Sequence, residues 1–280
     1  MTRGAAFFDL DKTIIAKSST LAFGRPFFQG GLINRRTVLK TAYAQFVFSL
    51  AGADAQQMER LRAQMTAMVT GWDAAAVQEI VRETLHEIVD PLVYAEAADL
   101  IEEHKVAGRE IVIVSSSGAE MVEPIGEMLG ADRVVATRMV VEDGRYTGEI
   151  EFYAYAENKA AAMREVAAVG GYDLADCYAY SDSVTDLPML TAVGHPTAVN
   201  PDRGLRKAAL QHGWPMLRFE RPVSMRSRFS VPAAPMVTGA AAMGVGAAVV
   251  GLAWYARHRT ARPVPGTPGP LSGRRRRRGA

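Results

Sequence analysis

Ala5-Ala6-Phe7-Phe8-Asp9-Leu10-Asp11-Lys12-Thr13 is the stretch from which the fold can be read. Its four apolar residues have the composition of a short buried strand, and two carboxylates follow at the strand's end. Residues i and i+2 of a strand share a face, so a turn that begins right after Asp9 brings both acids round one small ligand. Such a pair attracts a hard cation like Mg2+, which prefers carboxylate and carbonyl oxygens. An EF-hand is excluded, because Ile14 replaces the obligatory glycine and Thr20 the closing glutamate. Taken alone, these residues fit a solvated turn after an edge strand equally well.

The rest of the chain decides between the two. Residues 18 to 107 read as helices, with apolar stripes at Val38 to Leu50, Met58 to Val69 and Val77 to Val89, ended by Asp90-Pro91. From residue 94 the rhythm changes to helix and strand in alternation. A helix to about Ala107 stops at Gly108, and the continuous apolar run Ile111-Val112-Ile113-Val114 has the character of a parallel strand covered on both faces. Val134-Val135-Ala136 reads as a short strand. Met139-Val140-Val141 and Tyr146 to Phe152 flank Asp143-Gly144, the composition of a tight hairpin. A helix over Lys159 to Val169 precedes the strand Cys177 to Tyr180, and Thr197 to Val199 and Leu217 to Phe219 are further strands. The expected fold is α/β, an open parallel Rossmann-like sheet with a helical insertion after its first strand.

In such sheets ligands bind outside the carboxyl ends of the strands. Strand one ends in Asp9, Asp11 and Thr13, and the strand at 111 to 114 ends in Ser115-Ser116-Ser117-Gly118. The strand at 177 to 180 ends in Ser181-Asp182-Ser183-Val184-Thr185-Asp186, and Lys159 opens the helix before it. Singly, the serines read as helix caps, Lys159 as a surface residue and the acids as turn groups. Together, four acids at one edge repel unless a cation sits among them.

These motifs, in this order, resemble those of the haloacid dehalogenase superfamily of phosphatases, in its phosphoserine phosphatase-like branch. The resemblance covers about residues 5 to 220: Phe7 to Thr13, Ser115, Lys159, and Ser181-Asp182 through Asp186-Leu187-Pro188-Met189-Leu190. It implies that Asp9 is the nucleophile that forms an aspartyl-phosphate and that Asp11 is the general acid and base. It further implies Mg2+ held by the carboxylates of Asp9 and Asp182 and the backbone carbonyl of Asp11, with Asp186 supporting the metal shell or Lys159. Ser115, with Ser116 beside it, and Lys159 would clamp the phosphoryl oxygens, and Thr13 would shape the loop that receives them. The implied division is a core of 1–15 and 91–222 with a helical cap over 16–90. Phosphoserine phosphatases carry an acidic residue just after the first motif, where this chain has Ala16-Lys17-Ser18-Ser19, and glycines where it has Ser116 and Ser117. The substrate expected is therefore a small-molecule or lipid-linked phosphate ester other than phosphoserine, with Arg25, Arg35, Arg36 and Lys40 of the cap available to an anionic group. A phosphotransferase using the same intermediate and a non-catalytic membrane-tethered binding protein are the alternatives.

Composition bounds the rest. A chain of 280 residues that is 49% apolar and 22% charged is a folded protein, and one cysteine, Cys177, excludes a disulfide framework or a Cys-rich zinc site. Residues 1–217 hold 20 Lys+Arg against 29 Asp+Glu, whereas 218–280 hold 12 against 1. No signal peptide opens the sequence, so the catalytic part is expected in the cytoplasm. After a linker at 223–235, Met236 to Ala256 is a run of 21 residues without a charge, expected as a C-terminal apolar helix that spans or lies on the membrane. The tail over 257–280 ends in Arg274 to Arg278, suited to anionic lipids at the inner face of the cell membrane. No nucleic-acid reader accompanies the arginines, so specific nucleic-acid binding is not expected.

Overall fold

The computed structural model describes residues 4–32, 63 and 66–221. Seven strands form one sheet in the order β4-β3-β2-β1-β5-β6-β7. Strand β1 (Ala5–Phe8) lies at its centre, parallel both to β2 (Glu110–Gly118) and to β5 (Tyr178–Ser181). Alternation explains why the runs are continuously apolar. Ala6, Phe8, Ile111 and Ile113 face one core, while Ala5, Phe7, Val112 and Val114 face another, and all eight are buried. A strand with helices on both faces has no solvent side to make polar.

The first core is closed by α3 (Ala74–Val89), α4 (Ala95–Val106) and α5 (Ala119–Leu129), preceded in the chain by α1 (Ser19–Ala22) and α2 (Gly24–Gln29). The second is closed by α6 (Glu157–Gly170), α7 (Leu187–Thr191) and α8 (Arg203–His212). The stripe at Val77 to Val89 is the buried face of α3, with Val77, Val81, Leu85 and Val89 inside. Asp73 caps that helix by accepting from the Ala76 N–H at 3.0 Å, and Gly108 turns the chain after α4 with a φ of 74°. β6 (His195–Val199) and β7 (Met216–Leu217) complete the parallel side.

One expectation is corrected. The segments at 134–136 and 139–141 are one strand, β3 (Arg133–Glu142), which changes partner along its length. Its first half runs parallel to β2, and its second half pairs antiparallel with β4 (Arg145–Phe152). The hairpin turns at Asp143 and Gly144, both at positive φ (48° and 75°), as a two-residue turn matched to strand twist demands. The sheet is thus parallel except at this edge.

The hairpin meets the end of the insertion. The Gly71 N–H donates to the Tyr146 carbonyl at 2.8 Å, the Tyr146 N–H to the Trp72 carbonyl at 3.1 Å and the Ala74 N–H to the Gly144 carbonyl at 2.9 Å. Contacts divide the chain into Met1–Ser230 and Val231–Ala280. The stripe at Val38 to Leu50, most of that at Met58 to Val69, the cap cations Arg35, Arg36 and Lys40, and the linker, apolar segment and tail from 223 onward lie outside the described residues. Among the described residues no helix is long and apolar enough to cross a membrane.

Candidate active site

The parallel sheet brings the ends of β1, β2 and β5 to one edge. Beyond Phe8 the Asp9 N–H still donates to the Tyr180 carbonyl at 2.9 Å, so Asp9 is held as though it continued the strand. The chain then coils tightly, with the Ile14 and Ile15 N–H groups donating to the Leu10 carbonyl at 2.9 and 3.1 Å. Lys12 takes a left-handed φ of 63° within this turn. Thr13 is buried, and its hydroxyl donates to Asp9 Oδ2 at 3.2 Å.

Lys159 reaches Asp9 from the first turn of α6. Its Nζ donates to Asp9 Oδ1 at 2.7 Å and to Asp186 Oδ2 at 2.8 Å, and it is only 2% exposed. The surface reading of Lys159 is thereby overturned. Asp186 Oδ2 also accepts from Ser181 Oγ at 2.7 Å. Asp182, at the end of β5, is buried beside them, and its carbonyl accepts from the Asp202 N–H at 2.7 Å.

The three serines after β2 have separate positions. A register shift between Ser115 and Gly118 leaves Ser115 and Ser117 buried and Ser116 exposed. Ser115 Oγ accepts from the Ser117 N–H at 3.2 Å. Ser116 is engaged through its carbonyl, which accepts from the Thr137 hydroxyl at 2.8 Å, while the residue itself is exposed. None of the serines caps α5, whose cap position is Gly118. Asp11 is bound on both carboxylate oxygens, Oδ1 by the Ser19 N–H at 2.6 Å and Oδ2 by Ser117 Oγ at 2.7 Å.

Electrostatically the site is overloaded with negative charge. Burial pushes the Asp9 carboxyl up to about 8; Lys159 opposes this, and Asp186, Asp182 and Asp11 add to it. Burial likewise raises Asp182 to about 7, against the pull of Lys12. For Lys159 burial favours the neutral amine, but Asp9 and Asp186 outweigh it and hold the ammonium charged. Three buried carboxyl groups (Asp9, Asp182 and Asp186) share one buried ammonium, and the raised Asp9 and Asp182 mark a site with more acid than its buried positive charge can keep ionised. In addition, Asp186 Oδ1 is buried with no hydrogen-bond partner. An oxygen-rich site with this deficit fits a divalent cation. Among the described residues no three His, Cys, Asp or Glu side chains close round a point as a full cage. Two carboxylates, a main-chain carbonyl and water are nonetheless a set that Mg2+ accepts.

Sequence reasoning did not single out Ser19, Ser117 or Ser181 as site residues. The signal available for Ser117 was its two-residue spacing from Ser115, which puts both on one face of the strand. Ser181 opens the quoted motif with no role assigned to it, and Ser19 carried no signal beyond proximity to one.

With this geometry in view, the comparisons with known proteins are specific. A family model described as haloacid dehalogenase-like hydrolase matches residues 6–191. The chain is 64% identical over 265 residues to the "Inhibition of morphological differentiation protein" of Streptomyces azureus, covering 93% of this chain and 96% of that one. It is 62% identical over 254 residues to a probable phosphatase of Mycobacterium tuberculosis, covering 91% and 88% respectively. A phosphoserine phosphatase of the same organism is 33% identical over 239 residues, covering 85% and 77%. The chain belongs to the haloacid dehalogenase-like hydrolases, in the phosphoserine phosphatase-like branch, and is a phosphatase of that family.

Proposed function

We infer that the protein is a Mg2+-dependent phosphomonoester hydrolase working through a phosphorylated Asp9. The observation that carries this reading is the buried Asp9–Lys159–Asp186 group, with Lys159 Nζ at 2.7 Å from Asp9 and 2.8 Å from Asp186 and with Asp182 as a third buried carboxyl beside a single ammonium. Among the described residues Asp9 Oδ2 takes the 3.2 Å bond from Thr13 and no contact with Lys159, which makes it the oxygen suited to attack phosphorus. As the new bond forms, the bond from phosphorus to the ester oxygen breaks, and Asp11 gives that oxygen its proton. Asp11 then takes a proton from water, whose oxygen attacks the same phosphorus and releases phosphate and free Asp9. Lys159 and Ser115 hold the transferring oxygens, on which charge builds in a loose transition state. The Asp9 and Asp182 carboxylates and the Asp11 carbonyl would hold Mg2+, which would supply positive charge to the phosphoryl oxygens, and Asp186 steadies Lys159.

In this reading residues 1–15 and 91–222 form the catalytic core, and 16–90 a cap that selects the substrate. Phosphoserine, the substrate named for the M. tuberculosis relative, is not carried over. At the insertion's entry the exposed charged side chains are Lys17 and Arg25, beside exposed Leu21 and Phe28, and no acid follows Thr13 there, so an anionic group on the ester is favoured over an amine. The apolar segment 236–256 and Arg274 to Arg278 would hold the enzyme at the cytoplasmic face of the membrane.

The test is phosphate release from a panel of phosphate monoesters by the full chain, with and without Mg2+ and without added acceptor alcohols. Alcohol and phosphate should appear in equal amounts, and Asp9→Asn should stop both while the protein stays folded. Near-normal turnover by that variant would overturn the assignment. For the membrane, the full chain should float with anionic vesicles, and replacing Arg274 to Arg278 by serine should weaken this; equal behaviour of both proteins would remove the tail from the picture.

A further inference from the structure

We propose that Ser117, together with Ser19, is a positioning pair that holds the Asp11 carboxylate in line for proton transfer, so that it governs turnover of esters with poor leaving groups. The inference rests on the reading of Asp11 as acid and base. Four contacts define the arrangement. Ser117 Oγ donates to Asp11 Oδ2 at 2.7 Å, and the Ser19 N–H donates to Asp11 Oδ1 at 2.6 Å. Ser19 Oγ donates to Ser117 Oγ at 2.9 Å, and the Thr20 hydroxyl lies 3.3 Å from the same oxygen.

A hydroxyl has one proton and two lone pairs. Ser117 gives its proton to Asp11 and accepts from Ser19, so its rotation is fixed by partners on both sides. Ser19 is fully buried and Ser117 nearly so, which shields both donors from solvent, while Asp11 itself is half-buried. Each Asp11 oxygen spends one lone pair on these donors and keeps another, so the carboxyl can carry a proton to the ester oxygen without releasing Ser117. The two donors come from different elements. Ser117 sits in the bulge at the end of β2, whereas Ser19 opens α1, where the insertion leaves the core. The acid/base is thus clamped between sheet and insertion, and orientation of this kind is a large part of a proton-transfer rate.

The serine run therefore divides its tasks: Ser115 toward the phosphoryl group, Ser116 outward, Ser117 to Asp11. Ser117 cannot be exchanged for a smaller residue without freeing one oxygen of the acid.

The experiment compares two esters with the full-length enzyme. p-Nitrophenyl phosphate expels a stable anion and needs little protonation, whereas an alkyl phosphate needs its leaving oxygen protonated as the bond breaks. Ser117→Ala should lower kcat/KM about 100-fold for the alkyl ester and less than about 10-fold for the aryl ester. Ser117→Thr, which keeps the hydroxyl, should restore most of the difference. Ser19→Ala keeps the N–H and removes only the supporting hydroxyl, so a smaller shift of the same sign is expected; it also serves as the test should Ser117→Ala fail to fold. Equal losses on both esters, or none, would overturn the proposal. Asp11→Asn, measured alongside, separates the two readings. If Asp11→Asn discriminates strongly between the esters and Ser117→Ala does not, only the positioning role falls; if Asp11→Asn does not discriminate, the acid/base assignment falls and takes this inference with it.

Discussion

Lys159→Met replaces the buried ammonium by a side chain of similar length and no charge, and its cost can be worked from the geometry. Two contacts of 2.7 and 2.8 Å are lost, to Asp9 and Asp186, all three side chains being less than a tenth exposed. At an effective dielectric constant of about 20, each is worth about 6 kcal/mol of attraction before desolvation is counted. Burying the ammonium offsets much of that, and breaking such a buried pair costs about 3–5 kcal/mol net. That is a large share of the roughly 5–15 kcal/mol that holds a domain folded. The sign with pH follows from Asp9, whose folded pKa of about 8 lies above its ordinary value of 3.8. A carboxyl raised in this way binds more protons folded than unfolded across that window, so stability falls as pH rises through it. Without Lys159 the lowering influence on Asp9 is gone, so the variant should be weakest at pH 8 and partly recovered at pH 5.5. Urea unfolding followed by circular dichroism, with chelator present, measures both. Adding Asp9→Asn and Asp186→Asn to Lys159→Met removes the stranded charges and should return at least half of the loss. A single variant within about 1 kcal/mol of the wild type at pH 8, or a triple variant no more stable than the single, would refute the reasoning.

Chelation should abolish phosphate release and lower the unfolding midpoint. Saturating Mg2+, at about 100 times its Kd, should restore activity and add about 2.7 kcal/mol of stability in a thermal or urea titration. His104 is buried between Arg109, 3.0 Å from its Nδ1, and the Tyr180 hydroxyl, 2.8 Å from its Nε2. Burial, then Arg109, lowers its pKa from 6.5 to about 4. The unfolded chain thus binds the extra proton first, and stability should be complete above pH 6.5 and fall by up to about 3 kcal/mol on the way to pH 4; His104→Gln should show a shallower slope in denaturation at a series of pH values. Gly194→Ala would place a methyl carbon 1.8 Å from the Ala175 carbonyl oxygen. The backbone must move, so a loss of about 2 kcal/mol or more is expected by urea denaturation.

Much of this molecule can be read from its residues, for physical reasons that differ by element. The central strands are legible because two-sided burial leaves them no polar position, as in Ile111 to Val114. The site is legible where a polar group must follow such a strand, which gives Asp9, Ser115 and Asp182. Lys159 is harder, since only its 150-residue reach to Asp9 distinguishes it from any helical surface lysine. Strand β3 looks like two in the sequence because Thr137 and Arg138 interrupt its apolar run. In the structure Thr137 is buried, bonded to Ser116 and to the Ala154 N–H at 2.8 and 3.2 Å, at the point where β3 changes partner. Spacing alone pairs Ser117 with Ser115, but the roles of the serines are set by an irregularity that inserts Ser116 and Ser117 between two adjacent pairs of the β2–β3 ladder, and such a shift in pairing leaves no mark on composition.

Cys177 is the only cysteine in the sequence, and it is sealed in the second core between the Ala5 N–H and the Asp173 carbonyl, at 3.4 and 3.3 Å. Burial raises its thiol pKa, so little thiolate is available to an alkylating reagent. A maleimide dye or spin label will therefore go to whatever cysteine is introduced on the surface, with the native residue left in place. Label pairs across the insertion and the β3–β4 hairpin can then report the distance between the two with and without a phosphate ester, in an otherwise unaltered protein.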